Sequence, residues 1–590
     1  MYGDTPIHMR ILKDRDLTKG QIEEFLNPLY DEERGGMFDV SRMKDIDKAC
    51  DRVWKAVECG EKICLYADYD ADGVPAATIA YEFFKKIGCA DRAVVLIPHR
   101  HKDGFGLHSH LIDEMKKQEV SLLITMDLGI SNVEQVDHAN SLGIDVIVTD
   151  HHMPHEELPK AYAILNPKQP DCRYGEKMLC GSGVMYKFIH RLTVQARQKK
   201  YDIHAGWEKW LLDMVGLATI SDMVPLVGEN RLFAVYGLKV LQKGRRIGMK
   251  SLLSELKIYS KDIQEDDIGF SISPCINAAS RMSHAMDAFQ LLSSEDSLIA
   301  VKQARHLVTL NKSRKEKAQF LIKSAEQKLS SIDIDSKKVI VLGDADWSPT
   351  MVGPVASSMV RKFQRPVFVY GCEDGDVFRG SCRSVPGFSL VEIMKYVTQG
   401  FFEEFGGHAL SGGFAFTKDK LDVFESEIEK AFITWRDMQQ SEVVQDDVSN
   451  EIYTISHDLI TESFVQNLNM LRPFGIGNEK PLFKITGISL KEVKKFGKTK
   501  EHVEFLIENF VDSFGEVKKP TPDFLQDTYK YSVGSRPRTT PIRYISFFAE
   551  DGFHNALVGV PMDVYGYIEE SFFLGKREIR IRVEKLESKV

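Results

Sequence analysis

Residues 61–73, EKICLYADYDADG, decide the fold that we expect for this chain. The apolar run EKICLYA leads into a cluster of carboxylates, and the following VPAATIAYEFFKKIG has apolar residues at helical spacing, so strand, loop and helix succeed one another. Three more β-rich runs, RAVVLIP (92–98), SLLITMD (121–127) and IDVIVTD (144–150), alternate with segments of helical pattern. The fold class is therefore α/β, and the first ~230 residues are predicted to form a parallel sheet of βαβ units.

The remainder of the 590 residues predicts three further parts. Residues 296–329 contain no Gly or Pro and are rich in helix formers, which predicts one long connecting helix. A second α/β lobe begins at KKVIVLGD, the polar segment QQSEVVQDDVSNE is interpreted as a linker, and alternating β-branched and aromatic residues beyond it predict a small β-barrel. The predicted limits are 1–45 for an N-terminal segment, 46–235 for the sheet domain, 236–335 for the helical connector, 336–440 for the second lobe and 450–590 for the barrel.

Composition favours a soluble, cytoplasmic protein. No apolar run approaches the roughly 18 residues of a membrane helix, and the first residues carry no apolar signal stretch. The 9 cysteines are never spaced as CxxC, which indicates free thiols. A net charge of -9 speaks against a nucleic-acid partner, but metal-holding carboxylates enter this count. Basic residues also cluster in KGRR (243–246), KSRKEK (312–317) and KEVKKFGKTK (491–500), although such runs are more often solvated surface.

The acidic loop after the first predicted strand indicates a metal site. Asp68, Asp70 and Asp72 place three carboxylates within one short loop, and their mutual repulsion is costly unless cations neutralise it. An EF-hand calcium loop is an alternative, but its bidentate Glu would fall on Ile79. A solvated acidic turn is the other alternative. The preceding strand favours a metal site at the edge of a sheet over the helix–loop–helix arrangement of an EF-hand.

Further ligand types follow later segments of the chain: Asp127 after SLLITM, the triplet Asp150-His151-His152 after VIVT, and Asp222 in SDMVPL. In parallel sheets such residues meet at the carboxyl ends of the strands. The combined set is dominated by oxygen with one imidazole, which suits Mn²⁺ or Mg²⁺ better than zinc or copper. Because it exceeds the needs of one ion, we predict two divalent cations about 3.5–4 Å apart that polarise a phosphoryl oxygen. The predicted ligands are Asp68, Asp70, Asp127, His151 and Asp222.

The order and spacing of ADYDADG, the Asp127 turn, VTDHH and SDMVPL resemble the DHH phosphoesterase superfamily. IPHRHKDGFGL, SPCINAASRMS, GSCRS, FGGHALSGG and LRPFGIGNEKPLF resemble its RecJ family of single-stranded-DNA-specific exonucleases. The resemblance implies a DHH domain, a DHHA1-type second lobe and an OB-type barrel. It also implies a metal-dependent 5′-to-3′ exonuclease that hydrolyses single-stranded DNA to 5′-mononucleotides in DNA repair and recombination. The implied partners are single-stranded DNA and a single-strand-binding protein or a helicase, with no membrane, and the implied state is a monomer.

The resemblance also assigns residues to roles. Asp127 would bridge the ions, Asp150 would orient a ligand, and His152 and Arg281 would lie beside the scissile phosphate. The implied catalytic set is Asp68, Asp70, Asp127, His151, His152, Asp222 and Arg281. The implied substrate-binding set is Arg281, Arg383, Ser384, Gly406, Gly407 and His408. Aromatic candidates for base stacking in the barrel are Phe547, Phe548, Phe553, Tyr565, Tyr567, Phe572 and Phe573, although aromatics that alternate along a strand are more often core.

Departures from the pattern and competing functions stay open at this point. Tyr66 stands where some relatives have a further His ligand, and Cys275 and Ser280 replace an Arg and a Gly. The alternatives are a DHH phosphodiesterase acting on short RNA or on both RNA and DNA, and a catalytically weak replication-associated scaffold. The complete ligand set argues against the scaffold. The choice between DNA and RNA depends on contacts at the 2′ position, which a sequence does not reveal.

Overall fold

The structure, a computed structural model, describes residues 5–31, 36–330, 332–372, 375–439, 451–497, 500–520, 541–547, 549, 553, 556–573 and 576–588. The side chains of 335, 408, 439, 572, 573 and 576 also lie outside this description. The chain divides into two compact units. One contains Asp39–Asp222 and Tyr236–Asp447, and the other contains Met1–Phe38, Met223–Val235 and Val448–Val590. The five predicted domain limits stay a proposal.

Two short helices, α1 (Ile7–Asp14) and α2 (Lys19–Leu26), precede a five-stranded sheet. Its strands are all parallel and lie in the order β2-β1-β3-β4-β5. They are β1 (Lys62–Ala67), β2 (Ala93–Leu96), β3 (Val120–Met126), β4 (Asp145–Thr149) and β5 (Ala163–Leu165). The parallel sheet and its four predicted strands are thus confirmed, and β5 is a fifth strand that was not predicted.

Helices surround this sheet, as its apolar strands require. They are α3 (Ile46–Cys59), α4 (Gly73–Lys86), α5 (Ser109–Lys117), α6 (Val133–Ser141), α7 (Gly181–Gln198) and α8 (Leu212–Ser221). Leu123 and Val146 of the sheet share one core with Ile112 of α5 and Val136 of α6, all fully buried. Because crossover helices bury a parallel sheet on its faces, the functional groups are left at the ends of the strands.

A helical region follows: α9 (Gly228–Gln242), α10 (Ile247–Leu256), α11 (Glu265–Asp267), α12 (Ser273–Met282), α13 (Met286–Ser293) and α14 (Ser297–Leu329). Helix α14 has 33 residues and confirms the predicted long connecting helix. It begins where the side chain of Asp296 accepts hydrogen bonds from the backbone N–H groups of Leu298 and Ile299. This is the N-cap interaction that the polar residue before an apolar-periodic run predicts.

The second lobe is a mixed five-stranded sheet in the order β6-β7-β8-β10-β9. Its elements are β6 (Ile340–Asp344), α15 (Val352–Phe363), β7 (Val367–Gly371), β8 (Val377–Arg383), α16 (Leu390–Lys395), β9 (Glu404–His408), β10 (Ser411–Thr417) and α17 (Leu421–Gln439). Strands β6 and β7 are parallel, and the remaining pairs are antiparallel. Stacked Phe416 and Phe424, with ring centroids 4.3 Å apart, fill the core of this lobe.

The last part is a closed barrel. Its elements are β11 (Ile452–Ile455), α18 (Glu462–Asn469), β12 (Leu482–Phe496), β13 (His502–Val511), β14 (Val517–Lys518), β15 (Ile542–Ser546), β16 (Pro561–Phe573) and β17 (Lys576–Ser588). Strand β12 pairs with both β16 and β13, so five strands close into a ring through β17 and β15. The predicted OB-type barrel is confirmed. Ile11 and Leu12 of α1 complete its core.

Three other expectations concern the linker, the cysteines and membrane helices. Most of the predicted linker, residues 440–450, lies outside the described residues. All 9 cysteines are free thiols, as expected. Within the described ranges, no helix combines the length and the apolar character needed to cross a membrane.

Candidate active site

The loop after β1 is built by backbone hydrogen bonds to its own carboxylates. Asp70 Oδ1 accepts the N–H groups of Asp72 at 2.8 Å and Gly73 at 3.1 Å. A Cβ atom on Gly73 would lie 2.4 Å from the carbonyl oxygen of Asp68, so only glycine allows α4 to begin this close to the strand end. The turn therefore presents Asp68 and Asp70 at the carboxyl edge of the sheet.

Asp127 follows β3 in a left-handed backbone conformation, with φ of 64°. Its N–H donates to Thr149 O at 3.0 Å, which ties it to the end of β4. Gly181 at the start of α7 passes so close that a Cβ atom there would lie 2.6 Å from Asp127 Oδ1. A non-glycine residue rarely adopts positive φ, and this strained position at a strand end aims the carboxylate into the site.

His151 lies among three carboxylates. Its Nε2 is 3.2 Å from Asp127 Oδ1, 3.7 Å from Asp222 Oδ2 and 3.9 Å from Asp72 Oδ2. Burial lowers the pKa of His151 to about 3, and the neighbouring His152 contributes to this shift. A neutral imidazole surrounded by carboxylate oxygens is a metal-ligand arrangement, since metal binding requires the unprotonated ring.

The carboxylates themselves fit a bound cation. Asp68 Oδ1 and Asp127 Oδ1 are buried and have no hydrogen-bond partner in the described part of the chain. Burial, followed by repulsion from neighbouring carboxylates, raises the pKa values of both residues, and raises the pKa of Asp222 to about 8. Such orphaned, mutually repelling oxygens are costly unless a cation neutralises them. The structure thus brings together all five predicted ligands.

Asp150 holds the second histidine of the triplet. Its Oδ1 accepts the N–H groups of His151 at 2.7 Å and His152 at 3.0 Å, and His152 Nδ1 at 2.8 Å. Burial opposes protonation of His152, but the bond and charge of Asp150 outweigh burial and raise the pKa of His152 to about 9. Asp150 therefore fixes the orientation of the His152 imidazole and favours its charged form. Its side chain contacts His152 and not the His151 ring.

Two arginines face the carboxylates. A cavity of about 270 Å³ is lined by all five predicted ligands together with His152, Arg281, Arg100, Phe105 and Asn277. Arg281 Nη1 donates to Thr350 O at 2.9 Å, so the guanidinium reaches the second lobe. Burial and the nearby Arg100 and Arg314 lower the pKa of Arg281 to about 9. Like charges held together beside carboxylates create a site for an anion such as a phosphate.

The sequence interpretation did not single out three of these residues. The Arg100 guanidinium lies 4.6 Å above the Tyr69 ring, and Phe105 packs edge-on against His152. Asn277 Oδ1 accepts the Ala71 N–H at 2.9 Å and so fixes the acidic loop from α12. Arg100 and Phe105 belong to IPHRHKDGFGL and Asn277 to SPCINAASRMS, so the motifs contained the signal.

The predicted substrate-binding residues of the second lobe form a group of their own and do not line this cavity. Arg383, Ser411 and His408 are consecutive partners across β8, β10 and β9. Ser384 follows β8 directly, and its N–H donates to Leu410 O at 3.0 Å. Gly407 has φ of 135°, and a Cβ atom there would lie 2.4 Å from Ser411 O, whereas Gly406 meets nothing within 4 Å. The His408 side chain lies outside the described residues.

The barrel aromatics divide into core and surface. Phe553 packs against the core, Phe547 is 37% exposed, and Tyr565 and Tyr567 are partly exposed on β16. Phe548 and the side chains of Phe572 and Phe573 lie outside the described residues. The Tyr565 ring lies 5.3 Å from Lys484 Nζ and 5.1 Å from Lys585 Nζ, and Arg582 lies 4.8 Å from the Tyr567 ring. Aromatic rings interleaved with cations are typical of single-strand binding surfaces.

The three departures from the family pattern lie behind the carboxylates. Tyr66 is fully buried, and its hydroxyl donates to Gly106 O at 3.0 Å, so it supports the loop that carries Phe105. Cys275 is buried and accepts a hydrogen bond from Asn311 on α14. Ser280 is buried, and its hydroxyl donates to Asn277 O at 3.3 Å. These contacts give each of the three a structural role beside the cavity.

Three family models match the chain. The DHH family, N-terminal domain, matches residues 62–219, the DHHA1 domain matches 336–434, and the RecJ OB domain matches 453–515. The single-stranded-DNA-specific exonuclease RecJ of Bacillus subtilis (strain 168) is 35% identical over 479 residues, which cover 80% of this chain and 58% of that protein. The RecJ of Escherichia coli (strain K12) is 30% identical over 461 residues, which cover 76% of this chain and 79% of that protein.

Solved structures agree with this relationship. RecJ from Thermus thermophilus in complex with Mn²⁺ has a TM-score of 0.71 at 22% identity, and the match covers 96% of this chain and 74% of that chain. At that identity the match shows a shared fold. An exonuclease RecJ bound to manganese has a TM-score of 0.56 at 27% identity and covers 66% of this chain and 94% of its own.

Proposed function

The chain belongs to the RecJ family, and on this premise we propose that it is a metal-dependent exonuclease that hydrolyses single-stranded DNA from the 5′ end to 5′-mononucleotides, in DNA repair and recombination. One observation carries the proposal. The buried, unpartnered oxygens of Asp68 and Asp127 belong to residues that line one cavity with His151 and Arg281, at the end of a parallel sheet. That arrangement suits cations next to a phosphate, because bound cations would neutralise the carboxylate oxygens that are buried without partners.

The residues that would hold two Mn²⁺ or Mg²⁺ ions are Asp68, Asp70, Asp127, His151 and Asp222. Asp127 is the proposed bridge, because its carboxylate stands nearest to His151 and its Oδ1 has no other described partner. When bound, the ions would neutralise the phosphodiester charge and make a water molecule more acidic. Oxygen-rich ligation with a single imidazole suits these ions, and relatives have been solved with manganese and with magnesium.

His152 and the arginines are proposed to act directly on the phosphate. With a pKa of about 9, His152 is an imidazolium near neutral pH and can donate a hydrogen bond to a phosphate oxygen. Arg281 and Arg100 line the same cavity and can neutralise the charge that develops in the transition state. His152 is thus proposed to act as a fixed hydrogen-bond donor, and Asp150 is the residue that favours its protonated form.

We propose that the second lobe holds the 5′ end. Arg383 and Ser384 lie where β8 ends, next to the glycines of β9 and β10. Burial lowers the pKa of Arg383, and its Nη1 donates to the Cys382 carbonyl in the described structure, with no carboxylate paired to it there. A partly buried guanidinium beside a hydroxyl and close-packed glycine backbone suits a terminal phosphate.

The barrel is proposed to bind the single strand beyond the reacting end. Tyr565 and Tyr567 lie on one face of β16, each against a cation of β12 or β17. Stacking on such rings tolerates any base and contributes about 1–3 kcal/mol per base. Phe553 is excluded from this role because it packs in the core.

Matched 5′- and 3′-labelled single strands of DNA and RNA, each incubated with Mn²⁺, Mg²⁺ or a chelator, test the function. We expect 5′-label to leave DNA first as a mononucleotide, only with a metal, and RNA to be cut more slowly. A hairpin DNA of the same composition is the control for strandedness. Release of 3′-label first would make the polarity wrong, and equal cutting of RNA would make the DNA preference wrong.

A further inference from the structure

A second and larger cavity, of about 600 Å³, lies away from the carboxylates within the same unit. We refer to it as the tryptophan cavity because Trp207 and Trp210 line it together with Lys86, Arg245 and Leu292. Helix α4 begins beside the acidic loop at Gly73 and ends at Lys86 in this cavity, about 20 Å away at 1.5 Å per residue. The cavity is thus separate from the site that the proposed hydrolysis uses.

Trp210 carries two cations. Arg245 Cζ lies 4.6 Å from the centre of its ring and Lys243 Nζ lies 5.3 Å from it. Both cations are exposed, whereas Lys86 is half-buried, and none of the three forms an ion pair in the part of the chain that the structure describes. Unpaired cations over one aromatic ring form a surface that attracts an anion and stacks a planar ring.

The other charges of the tryptophan cavity are largely paired. Arg246, whose side chain is 9% exposed, binds Asp213, at 2.7 Å, and Glu82, while Lys85 binds Glu295 at 2.6 Å. These pairs leave one negative carboxylate charge uncompensated. The three positive charges of the unpaired Lys86, Lys243 and Arg245 exceed that negative charge. The net field in the cavity therefore favours an anion, and the Arg246 pairs hold its wall in place.

We propose that the tryptophan cavity binds a nucleotide, as a site additional to the carboxylate centre. Its base would stack on Trp210 in place of the Arg245 guanidinium, which would turn with Lys243 to hold the phosphate. A volume of about 600 Å³ lies in the usual range for small ligands, roughly 300–1,000 Å³. A nucleotide fits better than an acidic peptide, because the cations gather around one flat ring in a cavity and do not line a groove.

The nucleotide has two possible sources, a free mononucleotide or one unit of a single strand, and two probes separate them. Labelled dAMP and a short labelled oligodeoxynucleotide are dialysed against the full-length Asp127→Ala protein with a chelator, so that the carboxylate centre holds neither. We expect the Lys243→Ala/Arg245→Ala double variant to bind the relevant probe about tenfold more weakly, as the loss of charge-assisted bonds implies. Weaker binding of dAMP by the double variant identifies the free nucleotide, and weaker binding of the oligonucleotide alone identifies the strand, because the barrel and the second lobe are the same in parent and variant.

Controls distinguish the site from general surface charge. Lys48→Ala removes an exposed lysine that lies 5.0 Å from the Tyr162 ring elsewhere in the same domain, and it should leave binding unchanged. Trp210→Phe keeps a ring and should retain most binding, whereas Trp210→Leu should lose it. If the double variant binds both probes as the parent does, or if adenosine binds as well as dAMP, the proposal is wrong. An acidic peptide that displaces dAMP at lower concentration than dAMP itself would equally overturn it. None of these readouts depends on hydrolysis.

Discussion

Substituting Asp150 by Asn is the most direct test of the role of His152. Asp150 Oδ1 accepts His152 Nδ1 at 2.8 Å, and Oδ2 accepts the Ile130 N–H at 2.9 Å. Burial works against protonation of His152. The carboxylate of Asp150 outweighs burial and, with smaller contributions from Asp222 and Asp68, raises the pKa of His152 to about 9. Asparagine keeps the size of the side chain and removes its charge, so the pKa of His152 should fall towards its ordinary 6.5.

The size of the effect follows from these two pKa values. Near pH 8, a group with a pKa of about 9 is roughly 90% protonated, and one with a pKa of 6.5 is about 3% protonated, a ratio of about thirty. Bound cations screen the smaller contributions of Asp222 and Asp68, so we expect a loss of kcat of about ten- to thirtyfold near pH 8. Near pH 6 both forms are largely protonated, and the loss should be small.

The assay is kcat against pH for a 5′-phosphorylated single strand with Mn²⁺, expressed as the ratio of variant to parent so that the pH dependence of the water nucleophile cancels. For His152→Gln, kcat should not show the decline at alkaline pH that deprotonation of His152 causes. Asp137→Asn, on the surface of α6, is the matched carboxylate control. Thermal unfolding of each variant reports whether the fold is kept. A ratio that does not change with pH would refute the charge-setting role of Asp150.

Four further predictions follow from the site and the barrel. Asp127→Ala should lower kcat about a thousandfold or more, because bound metal stabilises the transition state by several kcal/mol. Its circular dichroism spectrum should be unchanged, and near-normal activity with Mn²⁺ would contradict the ligand assignment. Because the pKa of Asp222 is raised from 3.8 to about 8, the metal-free protein should lose thermal stability as pH rises through that interval, and Asp222→Asn should reduce this loss. Arg383→Ala should raise KM and reduce the preference for 5′-phosphorylated over 5′-hydroxyl strands. An unchanged preference would indicate that the 5′ end of the substrate binds at another site. Tyr567→Ala should weaken binding of a long single strand about tenfold and leave cleavage of very short oligonucleotides unchanged, whereas equal loss on both would indicate a structural role.

Local sequence patterns predicted the elements that carry the proposed ligands. The strands β1, β3 and β4 are mostly apolar, each is followed directly by an acidic residue, and parallel pairing brings those ends to one edge. The ends of α14 were predicted to within one residue, because the polar Asp296 caps a run without Gly or Pro. In these cases a short-range rule and the tertiary fold agree.

Contacts between distant segments could not be predicted in the same way. Asn277 reaches the acidic loop across 206 residues, and the two ends of that contact share no local pattern. Arg100 joins the cavity because the segment after β2 folds over Tyr69, which depends on packing and not on spacing. Strand β5 has three residues, too few to show a period. Asp72 was counted only as part of an acidic cluster, although its partners on α7 give it a distinct role.

The contacts of Asp72 distinguish its structural role from the proposed metal-binding role of Asp127. Its Oδ2 lies 3.9 Å from His151 Nε2, close enough to count as a candidate ligand. Yet both of its oxygens already accept backbone N–H groups at the start of α7, Oδ2 from Gly181 at 2.6 Å and Oδ1 from Ser182 at 2.7 Å. Asp127 is the opposite case, since its Oδ1 is buried without a described partner. A cation relieves an unpaired oxygen more than a satisfied one, so Asp127 is the better ligand and Asp72 fixes α7 against the acidic loop.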